Sequence, residues 1–276
     1  MAEELALNEG ALDDIVSALR ECGREVPDDI FGGFSKAKAI LETLSDETIR
    51  MLGHKVAKPT TLFALLKISS HIKGILRDEV VSLTFPSGGY SNGETPEIIQ
   101  AFPKLERLVL MDYSKMGTSL SEEILINILQ ACPKLKTLQI EPFSFKTCTV
   151  FSNASNLEEL QLAQSNITDF SALKNVRQLK QLELSRCWNL ENLSTLSCLE
   201  KLNILTVSYC QHLKTASPIE KCTQLEWIYL FHNDNLEYVE SLAKCPQLKE
   251  VYLLGCRKIP LSTVQTLQKT HLKITT

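Results

Sequence analysis

LKQLEL (residues 179–184), LNILTV (202–207), LEWIYL (225–230) and LKEVYL (248–253) are four settings of one phrase, L-x-x-L-x-L, repeated at a step of 23 residues. Upstream the phrase recurs as Leu157/Leu160/Leu162, Leu135/Leu138/Ile140 and Leu105/Leu108/Leu110, with steps of 22, 22 and 30 residues. A looser copy, Val80/Leu83/Phe85, stands 25 residues before Leu105. A period in the twenties marks a stacked solenoid, in which each unit is a short strand plus a return segment and buries its apolar face against its neighbours. The aliphatic positions of the phrase then point inward, and the residues between them point out along one face of the sheet.

The full unit reads L-x-x-L-x-L-x-x-(C/N/S)-x-x-L, with Leu190, Leu213, Leu236 and Ile259 closing the core on the return. Over residues 80–276 this resembles the leucine-rich repeat. Units bearing Cys187, Cys210 and Cys256 are similar to the cysteine-containing and plant-receptor subclasses. The stretch Asn166-Ile167-Thr168-Asp169-Phe170 is similar to the short-repeat subclass. The resemblance implies an α/β solenoid of about eight units over residues 79–276, with a curved parallel sheet on its concave face. The short returns predict 3₁₀ turns or extended chain in the later units. The 30-residue unit differs: in Ser119–Ala131 (SLSEEILINILQA), Ile124, Leu125, Ile128 and Leu129 recur at helical spacing and predict a true helix.

Register alone assigns the outward columns. The first runs Ser82, Arg107, Thr137, Glu159, Gln181, Ile204, Trp227, Glu250, and the second runs Thr84, Val109, Gln139, Gln161, Glu183, Thr206, Tyr229, Tyr252. The columns are polar in the middle and aromatic towards the C-terminus. Ile204, Tyr209, Trp227, Tyr229, Phe231, His232, Tyr252 and Leu254 are expected to form one exposed patch that binds a protein ligand, because exposed aromatic clusters are typical of interaction hot spots. The competing reading has some of these rings capping the solenoid or packing against a tail at His271–Thr276. The central band with Glu159, Glu183 and Arg186 reads as an ordinary solvated face.

The cysteines follow the repeat. Cys187, Cys210 and Cys256 stand eight residues after the first leucine of their units, where Ser165 and Asn233 stand in neighbouring units. That position needs a small group able to hydrogen-bond adjacent backbone. Cys132, Cys222 and Cys245 stand three residues before the first leucine. Thiols locked to the repeat act as small packing residues. With no C-x-x-C and no zinc spacing, they predict a reducing compartment such as the cytoplasm, with no metal and no other cofactor.

Composition bounds the partners. A net charge of −4 gives no electrostatic footprint for nucleic acid, and no apolar run is long enough to cross a bilayer. The N-terminus lacks a basic start followed by an apolar core, so no secretory signal is expected, and the sequons at Asn153, Asn166 and Asn192 read as chance matches. A monomer is expected. The charge is uneven: residues 1–50 hold twelve acidic and five basic side chains, and the remainder is slightly basic.

Residues 1–78 lack the repeat phrase and read as helices. Leu12, Ile15, Val16 and Leu19 form an apolar stripe ended by Gly23, and Ala37–Leu44 has helical composition. Pro27 and the Gly32-Gly33 pair interrupt these two segments. Ser45 followed by Asp46 and Glu47 predicts a capped helix start. Pro59-Thr60-Thr61 reads as a turn, and Leu62–Leu76 as one apolar helix.

Over residues 44–78 this pair of helices, ahead of the repeats, resembles an F-box. Leu44-Ser45-Asp46-Glu47 stands for the family's L-P-x-E opening, Ile49, Leu52 and Val56 follow, and Leu62, Ile68-Ser69 and Ile72 fall on later positions after one insertion. Ser45, Ser69 and Ile72 replace the family's proline, cysteine and tryptophan. The resemblance implies that Leu44, Ile49, Leu52, Leu62 and Leu65 dock the Skp adaptor of a cullin ubiquitin ligase while the concave patch holds the substrate. The alternative is a helical cap over residues 1–78 that shields the open end of the solenoid. Exposure decides between them: a docking face leaves apolar side chains outside, and a cap buries them against Val80, Leu83 and Phe85.

No enzyme signature competes. Ser87–Gly93 is glycine-rich but lacks the Lys-Ser/Thr ending of a phosphate loop, and reads as a long turn. The five histidines are scattered without an acid or nucleophile partner.

Overall fold

The computed structural model describes residues 9–26, 34–56, 58–85, 95–111 and 120–276. Nine strands form one sheet in chain order, every neighbouring pair parallel: β1 (Ser82–Phe85), β2 (Arg107–Met111), β3 (Thr137–Glu141), β4 (Glu159–Ser165), β5 (Gln181–Cys187), β6 (Ile204–Ser208), β7 (Trp227–Phe231), β8 (Glu250–Tyr252) and β9 (Lys273–Thr275). This is a leucine-rich-repeat solenoid. The observed pairing sets Ser82, Arg107, Thr137, Glu159, Gln181, Ile204, Trp227, Glu250 and Lys273 side by side, which is the first outward column extended by one residue. The segment read as a tail at His271–Thr276 supplies that ninth strand, held by the Leu253 N–H donating to the Thr275 carbonyl at 2.7 Å.

Alternation builds the core. Leu108, Leu138, Leu160, Leu182, Leu205, Ile228 and Val251 are all buried, and one apolar cluster runs without a break from Ile15 to Leu272. Returns match their lengths. The longest carries the expected helix, α7 (Glu122–Ala131), capped by the Ser121 hydroxyl accepting from the Ile124 N–H at 3.2 Å. The next five returns each hold a single 3₁₀ turn, from Thr149–Asn153 to Glu240–Lys244. Two further return helices were not legible, α6 (Thr95–Gln100) and α8 (Leu261–Gln268). The glycine-rich stretch Ser87–Gly93, Pro27 and the Gly32-Gly33 pair lie outside the described residues.

The position eight residues past the first leucine behaves as its residue types require. Asn233, fully buried, accepts from the Cys210 N–H and donates to the Val207 carbonyl, both at 2.9 Å. Cys256 Sγ donates to the Leu230 carbonyl at 2.9 Å, and Ser165 Oγ donates to Cys187 Sγ at 3.3 Å. All nine cysteines are free thiols, and burial pushes Cys132, Cys222 and Cys245 up to about 12.

Another column, one residue after the first leucine, carries an alternating charge ladder. Glu106 pairs with Lys136 at 3.0 Å, Glu158 with Lys180 at 2.7 Å, and Glu226 with Lys249. Lys180 beside Glu158 holds that carboxyl below its usual range. These pairs are exposed and contribute little to stability, but opposite charges at the same height oppose slippage between units.

Five helices precede the sheet: α1 (Glu9–Glu21), α2 (Phe34–Glu42), α3 (Asp46–Lys55), α4 (Pro59–Ile68) and α5 (Ser70–Glu79). Ser45 caps α3, its hydroxyl accepting from the Thr48 N–H at 3.3 Å. Two local expectations are corrected. Pro59 opens α4 at its first turn, where a missing N–H costs nothing, instead of marking a turn. The segment Leu62–Leu76 is two helices, because Ser69 is extended (φ −148°, ψ 137°) and its hydroxyl caps α5 by accepting from the His71 N–H at 3.2 Å. Asp14 on α1 joins the layers by accepting from Lys58 and Thr61 of the α4 start, both at 2.9 Å.

The exposure test of residues 44–76 comes out on the buried side. Ile49, Leu52 and Leu65 are fully buried, Leu62 is 3% exposed, and half-buried Leu44 packs on the same cluster that contains Val80, Leu83 and Phe85. Four of the five residues expected to dock an adaptor thus lie in the core, and Leu44 lies at its edge.

Candidate functional site

The outward columns of β6, β7 and β8 place their large side chains in contact. Tyr229 stacks on Tyr252 with ring centroids 4.7 Å apart and an interplanar angle of 19°. Phe231 meets both rings, at 5.8 Å from Tyr229 and 6.5 Å from Tyr252. This follows from sheet geometry, since residues paired across parallel strands repeat every 4.8 Å or so, close to the thickness of a ring plus its contact. Trp227, paired with Ile204 in the register, lies beneath the Lys249 ammonium at 5.0 Å. The Tyr252 hydroxyl donates to Glu250 at 2.6 Å, and Lys273 reaches the other oxygen of that carboxylate at 3.2 Å. These contacts hold Glu250 below and Tyr252 above their usual ranges.

Tyr209 and His232 belong to a different structure. They sit just past the ends of β6 and β7, seven residues after the first leucine of their units, and both have left-handed backbone (φ 56° and 51°). Gln164, Arg186 and Gly255 occupy the same place in β4, β5 and β8 units and share the conformation, with φ of 51°, 51° and 78°. The left-handed turn aims these side chains along the rim of the concave face, where they form a chain of contacts. Gln164 donates to Glu141 at 2.9 Å, Arg186 lies 3.8 Å from the same carboxylate and 5.5 Å from the Tyr209 ring, and Tyr209 stacks on His232 at 4.9 Å and 14°. His232 finally rests against Gly255, where an added Cβ would lie 2.4 Å from Nδ1.

The residues expected to form one exposed patch fall into two groups of contacts. Tyr209 and Leu254 are exposed at 43% and 52%, whereas Ile204, Trp227, Tyr229, Phe231, His232 and Tyr252 are half-buried. Tyr229 and Tyr252 spend ring faces on each other, as do Tyr209 and His232. The tail read as a cover for these rings extends the sheet beside Tyr252 as β9.

The central band also departs from an ordinary solvated face. Strands β3, β4 and β5 enclose a shallow hollow of about 90 Å³ lined by Gln139, Glu141, Gln161, Ala163, Glu183, Ser185 and Arg186. Burial, and then the nearby Glu141 carboxylate, push Glu183 above its usual range. Among the described residues no group of three or more histidine, cysteine or acidic side chains is arranged to hold a metal ion, and no helix is long and apolar enough to cross a membrane.

No family model and no curated protein matches the chain. Similar solved structures include the following two. One is an internalin (inlF) from Listeria monocytogenes strain 4b F2365, at 19% identity over 95% of this chain and 70% of that one, with a TM-score of 0.46. The other is an internalin C2 (inlC2) from the same strain, at 18% identity over 59% of this chain and 86% of that one, with a TM-score of 0.37. Identities this low and superpositions this loose bear on neither the ligand nor the role of this chain.

Proposed function

We propose that the chain is a non-catalytic binding module that holds a protein ligand on the concave face of β6–β8, with its N-terminal helices serving as the solenoid cap. The observation that carries this is the contiguous surface of Tyr229, Phe231 and Tyr252, preorganised by mutual ring contacts, with Trp227 beside it on β7 beneath Lys249. Rigid amphipathic rings lose little conformational entropy on binding and are enriched at the energetic centres of interfaces. Burial of Ile49, Leu52, Leu62 and Leu65 supports the capping role and leaves these side chains unavailable to a ligase adaptor.

The test is affinity capture with the intact chain and with a Trp227→Ala/Tyr229→Ala variant whose circular dichroism and melting curve match the intact chain. Partners retained by the first are lost by the second, because truncating interface aromatics commonly costs about 2 kcal/mol or more each. Equal capture by both sinks the concave reading. Purified Skp adaptor, run alongside, is expected not to bind; binding abolished by Leu62→Asp/Leu65→Asp in a folded chain would restore the ligase-receptor reading.

A further inference from the structure

We infer that the ligand of the concave face carries a cationic side chain, lysine or arginine, about 10–14 Å from its apolar anchor, with the cation seated at Glu183 and the anchor on Tyr229 and Tyr252. This deepens the binding-module reading and rests on it.

The charge of the hollow is the first argument. Glu141 and Glu183 line it, and Glu159 stands on the same face of β4. One basic residue, Arg186, faces them, and its guanidinium is already placed between Glu141 and the Tyr209 ring. Glu183 is half-buried, and no described residue gives it a hydrogen bond or an ion pair. A carboxylate held in this way, close to a second one, has lost hydration that an incoming cation replaces. Among the described residues an anionic ligand finds no equivalent on this face: Arg107 lies on β2 and Lys273 on β9, far apart along the sheet, and Lys273 is paired with Glu250.

Register supplies the spacing. Glu183, Thr206, Tyr229 and Tyr252 form one row across β5–β8. Glu183 is two strands from Tyr229 and three from Tyr252, or about 10 and 14 Å at ordinary sheet spacing. Thr206 between them is small enough to serve as a floor. An extended segment crossing the strands advances about 3.3 Å per residue, so the cation and the anchor stand three or four places apart in the ligand.

A random-peptide display selection on the immobilised intact chain, counter-selected on the folded Trp227→Ala/Tyr229→Ala variant, tests this. Surviving peptides are expected to carry lysine or arginine three or four places from an aromatic or branched aliphatic residue. Glu183→Gln should weaken them about tenfold or more, the loss of one charged hydrogen bond. Replacing the peptide's basic residue by alanine should weaken binding equally, and have no added effect on the Glu183→Gln chain. Survivors without a basic residue, or unaffected by Glu183→Gln, overturn the cation site and leave concave binding standing. A selection with no survivor dependent on Trp227 and Tyr229 overturns the binding reading itself.

Discussion

Gly255→Ala isolates the contact at the end of the rim. Two terms add. Gly255 has φ of 78°, and the left-handed region costs an alanine about 1–2 kcal/mol, part of which is offset by about 0.4–1 kcal/mol because alanine narrows the unfolded chain. The new Cβ would also lie 2.4 Å from His232 Nδ1 and 2.9 Å from Cε1, well inside contact distance. The ring has to move, and moving it breaks the 4.9 Å stack on Tyr209, a geometry worth about 0.5–1.5 kcal/mol. The sum is about 2 kcal/mol, read by urea unfolding as a lower midpoint at unchanged slope. The same substitution in a His232→Ala background removes the clash and the stack together, so its cost should fall to the backbone share, about 1 kcal/mol. An equal cost in both backgrounds would refute the assignment of the effect to His232 and leave backbone strain as the whole cause.

Two further outcomes follow from named contacts. Asn233→Ala strands the Cys210 N–H and the Val207 carbonyl in the core and should cost about 2–5 kcal/mol, whereas Asn233→Cys should recover part of this because cysteine fills that position in three other units; thermal melts of the two variants decide it. Glu183 is an acid whose folded pKa is raised, so its protonated form favours the fold at low pH, and that advantage is lost as pH rises through the folded value. Glu183→Gln should accordingly melt higher than the intact chain at pH 7, with the difference shrinking as pH falls below the carboxylate range. A difference that is flat with pH would mean that Glu183 is as well solvated folded as unfolded.

The parts of the fold legible in the sequence are those repeated in it. A residue such as Leu205 is unremarkable alone, but with Leu182 and Ile228 at the same phase it fixes a strand, its two neighbours and the direction of its side chains. The outward columns followed from the same register, so the stacking of Tyr229 on Tyr252 was latent in a spacing of 23 residues. The last strand was missed because Lys273–Thr275 carries Leu272 and Ile274 without the leading leucine, as terminal repeats often depart from consensus.

The rim and the cap stayed hidden for a different reason. Gln164, Arg186, Tyr209 and His232 share no side-chain chemistry, and only Gly255 signals the left-handed backbone all five adopt. What imposes that conformation is the need to turn inward so that Ser165, Cys187, Cys210, Asn233 and Cys256 enter the core, a demand of the fold on the backbone that leaves the residue type open. In the helices before the sheet, Ile49, Leu52, Leu62 and Leu65 stand at helical spacing, which states that something covers them and not what does. An adaptor surface and a capping layer require the same residues. The difference lies in whether the helices pack with Leu83 and Phe85, which share their buried cluster, and in where α4 and α5 part at Ser69, a single hydroxyl in a run that otherwise reads as one helix.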